Sequence, residues 1–310
     1  MNYRHAYHAG NFADVMKHAL LVWLLGALRR KPKPFFVLDT HAGPGFADLD
    51  AEPATRTGEW RGGIGRLMED PAFLPLPLRE GVGGRGAKGT GFHAVPDPSP
   101  QPPPAREGGD DVLAPYLSLI RRLGLYPGSP ALIRALLRPG DRLACCELHP
   151  EDHAALRARF RGDSQTAIHH RDGYGAVKAL LPPAERRGLI LLDPPFEAQD
   201  EWDRLTAALR TGLARFPAGV FAAWYPIKHR APVRNFFAAL QAAGLRDLVA
   251  AELWLRAPLD PARLNGCGLV VANPPHGFET DSPPILDMLC NRLGERGMGE
   301  GSGVIRLADE

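Results

Sequence analysis

Cysteine is scarce in this chain of 310 residues: there are four, and no two form a Cys-x-x-Cys pair. Cys145 and Cys146 are adjacent in a strand-like segment, where successive side chains point to opposite faces. A disulfide framework is therefore excluded; the thiols read as reduced and cytoplasmic, and no metal centre is expected. Charge of one sign is lacking too, because 37 lysines and arginines meet 35 acids for a formal net charge of +2. Bulk charge thus points to neither nucleic acid nor a membrane, and any RNA contact must come from a local patch. No long apolar run exists either. The longest, Ala19 to Leu28, is roughly half of what a bilayer crossing needs, and His, Arg, Asp and Lys precede it, so it is neither an anchor nor a signal peptide. What remains is an ordinary globular composition, 45% hydrophobic, in a chain long enough for one large domain or two small ones. No interface helix stands out, and a monomer is expected.

From Asn11 to Arg30 the apolar positions Phe12, Val15, Met16, Ala19, Leu20, Trp23, Leu24, Ala27 and Leu28 fit helical spacing, with Asn11 as the cap. Asp14, Lys17 and His18 fall off that stripe and face either solvent or a cleft. A strand follows in "PFFVLDTHAGPGF", closing on Asp39 and a glycine-bearing turn, and similar runs recur in "DRLACCELHP", "GLILLDPPF", "GVFAAWYPI", "VAAELWL" and "GCGLVVANPP". Helical segments at 150–161, 173–181, 200–215 and 231–243 separate most of them. This alternation predicts a doubly wound, mostly parallel α/β sheet. Residues 78–111 break the rhythm with eight glycines and six prolines in 34 positions, a composition expected to be disordered. Its helical flanks suggest a small insertion subdomain, 47–123, hung on a catalytic domain formed by 1–46 and 124–310.

Four strand ends carry polar residues of chemical interest. Gly43 and Gly45 after the first strand allow close backbone approach to a ligand or simply make a tight turn; the spacing does not complete a dinucleotide fingerprint. Glu147 ends the next strand, where a carboxylate accepts from both hydroxyls of a ribose, or lies on the surface. Asp172 in "HHRDGY" either accepts from an exocyclic amine or belongs to an Asp-Gly turn. The fourth is Asp193-Pro194-Pro195-Phe196. A proline pair fixes the backbone so that the Asp193 carboxylate and the Pro194 carbonyl can converge on one amine, with Phe196 as a stacking face. The bland reading is a strand stopped by a Pro-Pro turn. A second copy, Asn273-Pro274-Pro275-His276, is uncharged and lacks the usual stacking ring. On the last expected strand, which is antiparallel if it closes a hairpin, it would point away from the cleft.

With these elements in this order the chain resembles the class I S-adenosylmethionine-dependent methyltransferases, whose (D/N/S)PP(Y/F/W) tetrapeptide marks amino-nitrogen methylation. "YRHAYHAGNFADVMKH", "LDTHAGPG", "RTGEW", "YPGSP", "ELHP", "RRGLILLDPPFE", "WYPI" and "NPP" together resemble the RlmJ family, which methylates N6 of one adenine in bacterial 23S ribosomal RNA. The resemblance implies a Rossmann-like seven-stranded sheet with a helical insertion after the first strand. It implies that His18, His41, Gly43, Ser129, Glu147, Asp172, Gly173 and Asp193 bind S-adenosylmethionine, and that Asp193, Pro194 and Phe196 form the catalytic group. Tyr3 and Lys17 would contact the RNA, and no metal takes part. Phe196 stands where the family often has tyrosine, which keeps the ring and loses a hydroxyl; the 78–111 insertion is not part of the family pattern. Other amine acceptors, in DNA or protein, and a catalytically inactive RNA-binding module remain open at this level.

Overall fold

The structure, a computed structural model, describes residues 7–68 and 112–309. Tyr3 and the 78–111 segment lie outside them. The chain opens with helix α1 (Phe12–Arg29), whose N-cap Asn11 accepts from the backbone N–H groups of Ala13 and Asp14. Strand β1 (Phe36–Asp39) follows, then a two-residue strand β2 (Phe46–Ala47), helix α2 (Glu52–Thr57), a 3-10 turn (Glu59–Gly62) and helix α3 (Ile64–Met68). Helix α4 (Ala114–Leu123) leads to β3 (Tyr126–Pro127), which pairs with β2 and closes the neck of this excursion. The remaining elements are α5 (Ser129–Leu136), β4 (Arg142–Glu147), α6 (Pro150–Arg159), β5 (Thr166–His170), α7 (Gly173–Leu180), β6 (Gly188–Leu192), α8 (Glu201–Arg215), β7 (Val220–Ile227), α9 (Arg230–Ala242), β8 (Leu248–Trp254), β9 (Gly266–Ala272), α10 (Phe278–Leu293) and β10 (Gly301–Ala308).

Eight strands form the main sheet in the order β10-β8-β9-β7-β6-β1-β4-β5. β1 pairs in parallel with both β4 and β6, so the winding reverses at β1, while β9 runs antiparallel to β7 and β8. This is a Rossmann-like class I methyltransferase sheet with one strand more than the seven expected. The extra strand, β10, pairs antiparallel with β8 at the sheet edge. Its sequence, "GSGVIRLA", is half exposed and begins with two glycines in three residues, so it carries neither a buried run nor a clean alternation. Helix α10 escapes a sequence reading for a similar reason, since Pro283 and Pro284 lie inside it.

Alternation along the strands divides the core in two. Val37, Leu143, Cys145, Leu189 and Leu191 pack with α1, α4, α5 and α10, whereas Phe36, Leu38, Ala144, Cys146, Ile190 and Leu192 pack with α7, α8 and α9. The vicinal cysteines thus face opposite layers, both buried and both free thiols. Among the described residues no helix is long and apolar enough to cross a membrane.

Asp141 sets the register where β4 begins. Buried to 1% exposure, it accepts the Phe35 N–H at 3.0 Å, the Arg138 N–H at 2.8 Å and the Arg138 guanidinium at 3.0 Å. Asp141→Ala strands two backbone donors and leaves the Arg138 guanidinium only its carbonyl partners, so chemical denaturation should register a loss of about 3 kcal/mol. A loss below about 1 kcal/mol would refute this accounting.

Candidate functional site

The parallel strands end along one edge of the sheet, and a cavity of about 820 Å³ opens there, within the range of small-molecule sites. Lys17, His41, Gly43, Glu147, Asp172, Gly173, Asp193, Pro194 and Phe196 all line it. The order of the strands explains why residues so far apart in sequence meet. β1, β4 and β6 are neighbours, so the loops that follow them share one crevice.

On the β4 side, Gly43 has φ +59°, a conformation that favours glycine, and its N–H donates to Glu147 Oε2 at 2.8 Å. Glu147 Oε1 accepts from the His149 N–H at 2.7 Å. Burial raises the Glu147 carboxyl above the usual carboxylate range, while these backbone donors partly restore it. Gly173, at the start of α7, lies against β1: a Cβ there would stand 2.1 Å from the Thr40 carbonyl oxygen. Asp172 caps α7 by accepting from Gly175 N–H at 2.7 Å, and its other oxygen takes Arg204 at 3.1 Å. The Arg204 guanidinium lies 4.4 Å from the Tyr174 ring centre, and Tyr174 donates to Glu201 at 2.8 Å. His41 meets Tyr174 edge-on, and burial pushes its imidazole down to about 4, leaving it neutral at physiological pH.

At the end of β6, Asp193 Oδ2 is 2.5 Å from the Lys17 ammonium, which also donates to Asp14 Oδ1 at 2.9 Å. Lys17 and Asp14 are buried, at 4% and 5% exposure. Burial opposes the lysine charge, yet the two carboxylates outweigh it and hold Lys17 protonated, above the ordinary lysine value. Among the described residues, Asp193 Oδ1 has no hydrogen-bond partner and is left for a donor from the cavity. Phe196 adopts φ +53°, rare for a non-glycine residue, and so turns its ring toward Trp202 at 4.7 Å and Trp224 at 5.8 Å.

Two expected site residues lie elsewhere. His18 is fully buried and bonded through Nδ1 to the Tyr126 hydroxyl at 3.1 Å, away from the cavity lining. Consecutive helical residues point about 100° apart, and here α1 turns Lys17 to the cleft and His18 to the interior. Ser129, buried at the start of α5, sits beside Asp39 rather than in the lining. Tyr3 is outside the described residues. Lys17, expected to contact RNA, reaches the cavity wall, where its ammonium is engaged by Asp14 and Asp193. Among lining residues that sequence reading missed are Arg204 and Trp224, while Asp14, left between solvent and a cleft, faces the cleft. Asp14 and Lys17 did carry a signal, an acid and a base three apart on one helix, off its apolar stripe. The second proline pair lies at the opposite edge of the sheet. Asn273, not the fourth residue, has the positive φ there, and its amide donates to the Pro217 and Gly219 carbonyls, both at 2.7 Å. It is a structural turn.

Asp39 lies fully buried beneath this site. Burial pushes its carboxyl up to about 7; the nearby Ser129 hydroxyl and the Lys17 ammonium act against the shift, and the Asp193 charge reinforces it. Neither oxygen closes a hydrogen bond of good geometry. An acid whose folded pKa lies above its unfolded value near 4 keeps its proton in the folded chain through that interval, so stability falls as pH rises from about 4 to 7. Asp39→Asn should remove that slope, raising stability by roughly 2–4 kcal/mol at pH 8 and changing it little at pH 4. Coincident stability–pH profiles for the two proteins would contradict the assignment.

Comparison with known proteins agrees with this architecture. The family model described as "Ribosomal RNA large subunit methyltransferase D, RlmJ" matches residues 32–80 and 105–304, with its interruption inside the glycine- and proline-rich segment. A Haemophilus influenzae protein named Ribosomal RNA large subunit methyltransferase J is 36% identical over 306 residues, covering 96% of each chain. Its Escherichia coli namesake is 34% identical over 302 residues, covering 97% of each. A solved protein from Legionella pneumophila superposes with a TM-score of 0.78 at 30% identity, over 96% of this chain and 98% of the other. With a match of this extent and a sheet wound in the same manner, the chain belongs to the RlmJ family.

Proposed function

We propose that this protein transfers a methyl group from S-adenosylmethionine to N6 of a specific adenine in 23S ribosomal RNA, acting as a cytoplasmic monomer. The observation that carries the reading is Asp193 at the switch point of the sheet. One of its oxygens is bonded to Lys17, the other is open to the cavity, and Pro194, Pro195 and the ring of Phe196 follow. The names of the curated relatives, which specify the large ribosomal subunit RNA, support the choice of substrate.

The residues present fit the donor. Glu147 is a buried acid with lone pairs for a diol, Gly43 and Gly173 keep the wall free of side chains, and His41 and Asp172 complete the same face. When bound, S-adenosylmethionine supplies a methyl group on a positively charged sulfur. Ser129 and His18 would act from behind this wall, Ser129 beside Asp39 and His18 through Tyr126.

The adenine amine is a poor nucleophile because its lone pair is delocalised into the ring. Asp193 Oδ1 and the Pro194 carbonyl would accept its two hydrogens, favouring a pyramidal nitrogen with the lone pair exposed. Oδ1 would then take the proton that the alkylated amine sheds. To reach this point the base must leave its stack, and Phe196 replaces part of the lost stacking, worth about 1–3 kcal/mol.

The test is methyl transfer from tritiated S-adenosylmethionine to protein-free 23S ribosomal RNA from a strain lacking this gene. Label should be recovered as N6-methyladenosine. Asp193→Ala should lower turnover by about 10²-fold or more, with donor affinity changed less than about threefold. Label found instead in DNA, in protein or in another nucleoside would refute the acceptor, and normal turnover by Asp193→Ala would refute the mechanism.

A further inference from the structure

Past Asp193 the cavity continues toward β7, β8 and β9, and the charge of its wall reverses. The β4 side presents Glu147, Asp152 and Asp172, with Arg204 paired to Asp172; the far side presents Lys228, Arg256, Arg263 and Arg66, with Glu295 among them. Glu295, just beyond α10, takes Arg256 through two hydrogen bonds, one of them from Nε at 2.6 Å, and has Arg263 at 3.8 Å. The Arg256 hydrogen bonds, with the charges of Arg256, Arg263 and Arg66, hold its carboxyl below the usual range. Two guanidinium groups therefore contact one carboxylate, while Arg66, which donates to the Leu293 carbonyl at 3.0 Å, acts on it through its charge alone. Lys228 is exposed and, among the described residues, has no ion-pair partner, while Arg263 is 55% exposed. Even with Asp260 in the same loop, cations are in excess.

These charges stand on a braced frame. The β8–β9 loop, residues 255–265, is tied to the end of β7 by Asn265. Its amide donates to the Lys228 and Asp260 carbonyls, both at 2.7 Å, and its N–H donates to Ile227 at 3.1 Å. Arg256, only 12% exposed, donates to the Leu264 carbonyl at 3.2 Å and to Asn265 Oδ1 at 3.3 Å. Arg256 is thus a brace, whereas Lys228 and Arg263, the latter held among the described residues only by the 3.8 Å pair with Glu295, present donors to solvent and cavity. A cationic edge with restricted geometry, continuous with the pocket of Asp193, suits a polyanion whose backbone passes while one base enters.

We propose that Lys228 and Arg263, backed by Arg66, seat backbone phosphates of the RNA that flank the target base, making the end of β7 and the β8–β9 loop braced to it the substrate-gripping edge of the cleft. This rests on the reading of the chain as an RNA methyltransferase. The acidic β4 side repels phosphate and receives the donor, so the two ligands are sorted by charge to opposite sides of Asp193.

The experiment compares the full-length chain with Lys228→Ala, Arg263→Ala and the double variant, titrating the 23S ribosomal RNA used for methylation over a range of salt concentrations. Each single variant should weaken RNA binding about fivefold and lower the slope of log K against log salt by about 1, the signature of one lost phosphate contact. Donor affinity and melting temperature, which report folding, should hold, and the loss should fall on KM for RNA. Glu295→Gln removes the carboxylate that Arg256 and Arg263 share and should tighten RNA binding about twofold, the reverse of what a purely structural role would give. A double variant with wild-type RNA affinity and salt slope, beside a wild-type enzyme that methylates RNA, would overturn the proposal alone. A wild-type chain that neither binds nor methylates RNA would overturn the functional reading and this proposal together.

Discussion

The arrangement of the site depends on one buried ammonium. Lys17 reaches from α1 to the end of β6 and lies between Asp14 and Asp193, with Asp14 also accepting from the Gly10 N–H at 3.0 Å. A lysine with so little water around it needs both carboxylates, and each of them needs the lysine, because an unpaired buried charge costs several kcal/mol. The triad is therefore a constraint more than a source of net stability. It joins the N-terminal motif to the Asp-Pro-Pro-Phe turn and commits one oxygen of Asp193, leaving the second for a donor in the cavity. The same ammonium acts against the raised pKa of Asp39 one strand away.

Around that fixed point the cleft is divided. Toward β4 and β5 the wall consists of acids and close-packed glycines, suited to hydroxyl and amine donors. Toward β7, β8 and β9 it carries guanidinium and ammonium groups on a braced loop. Aromatic rings at Phe196 and Trp224 occupy the boundary, with Trp202 packed behind Phe196. The strand order produces this division: β1 is the switch strand, so the loops after β4 and β6 diverge to opposite sides of one crevice.

Much of this was legible in sequence because it depends on local pattern. The Asn11 cap, the buried strands ending on Asp39, Glu147 and Asp193, and the order that brings Asp193 beside the first glycine turn all follow from periodicity and turn chemistry. What escaped depends on long-range pairing. Off the apolar stripe, Lys17 could have faced solvent or a cleft, and only the partner 176 residues away decides between them. His18 was assigned to the pocket by resemblance, but the helical turn that carries Lys17 to the wall directs His18 into a tyrosine-lined interior. Arg256 and Glu295 are 39 residues apart, joined only when β8 and the end of α10 meet. β10 lacked a strand pattern because an edge strand need not bury either face. The second proline pair was read correctly as lying away from the cleft, since β9 runs antiparallel.

The most direct measurement is the single-turnover rate of methyl transfer for Lys17→Met, with donor and RNA both saturating, at a temperature where the variant is folded. If the ammonium fixes Asp193 as the acceptor for the amine, the rate should fall by about 10²-fold, while S-adenosylmethionine affinity changes less than about threefold. A folded Lys17→Met protein that transfers methyl groups at the wild-type rate would contradict the account.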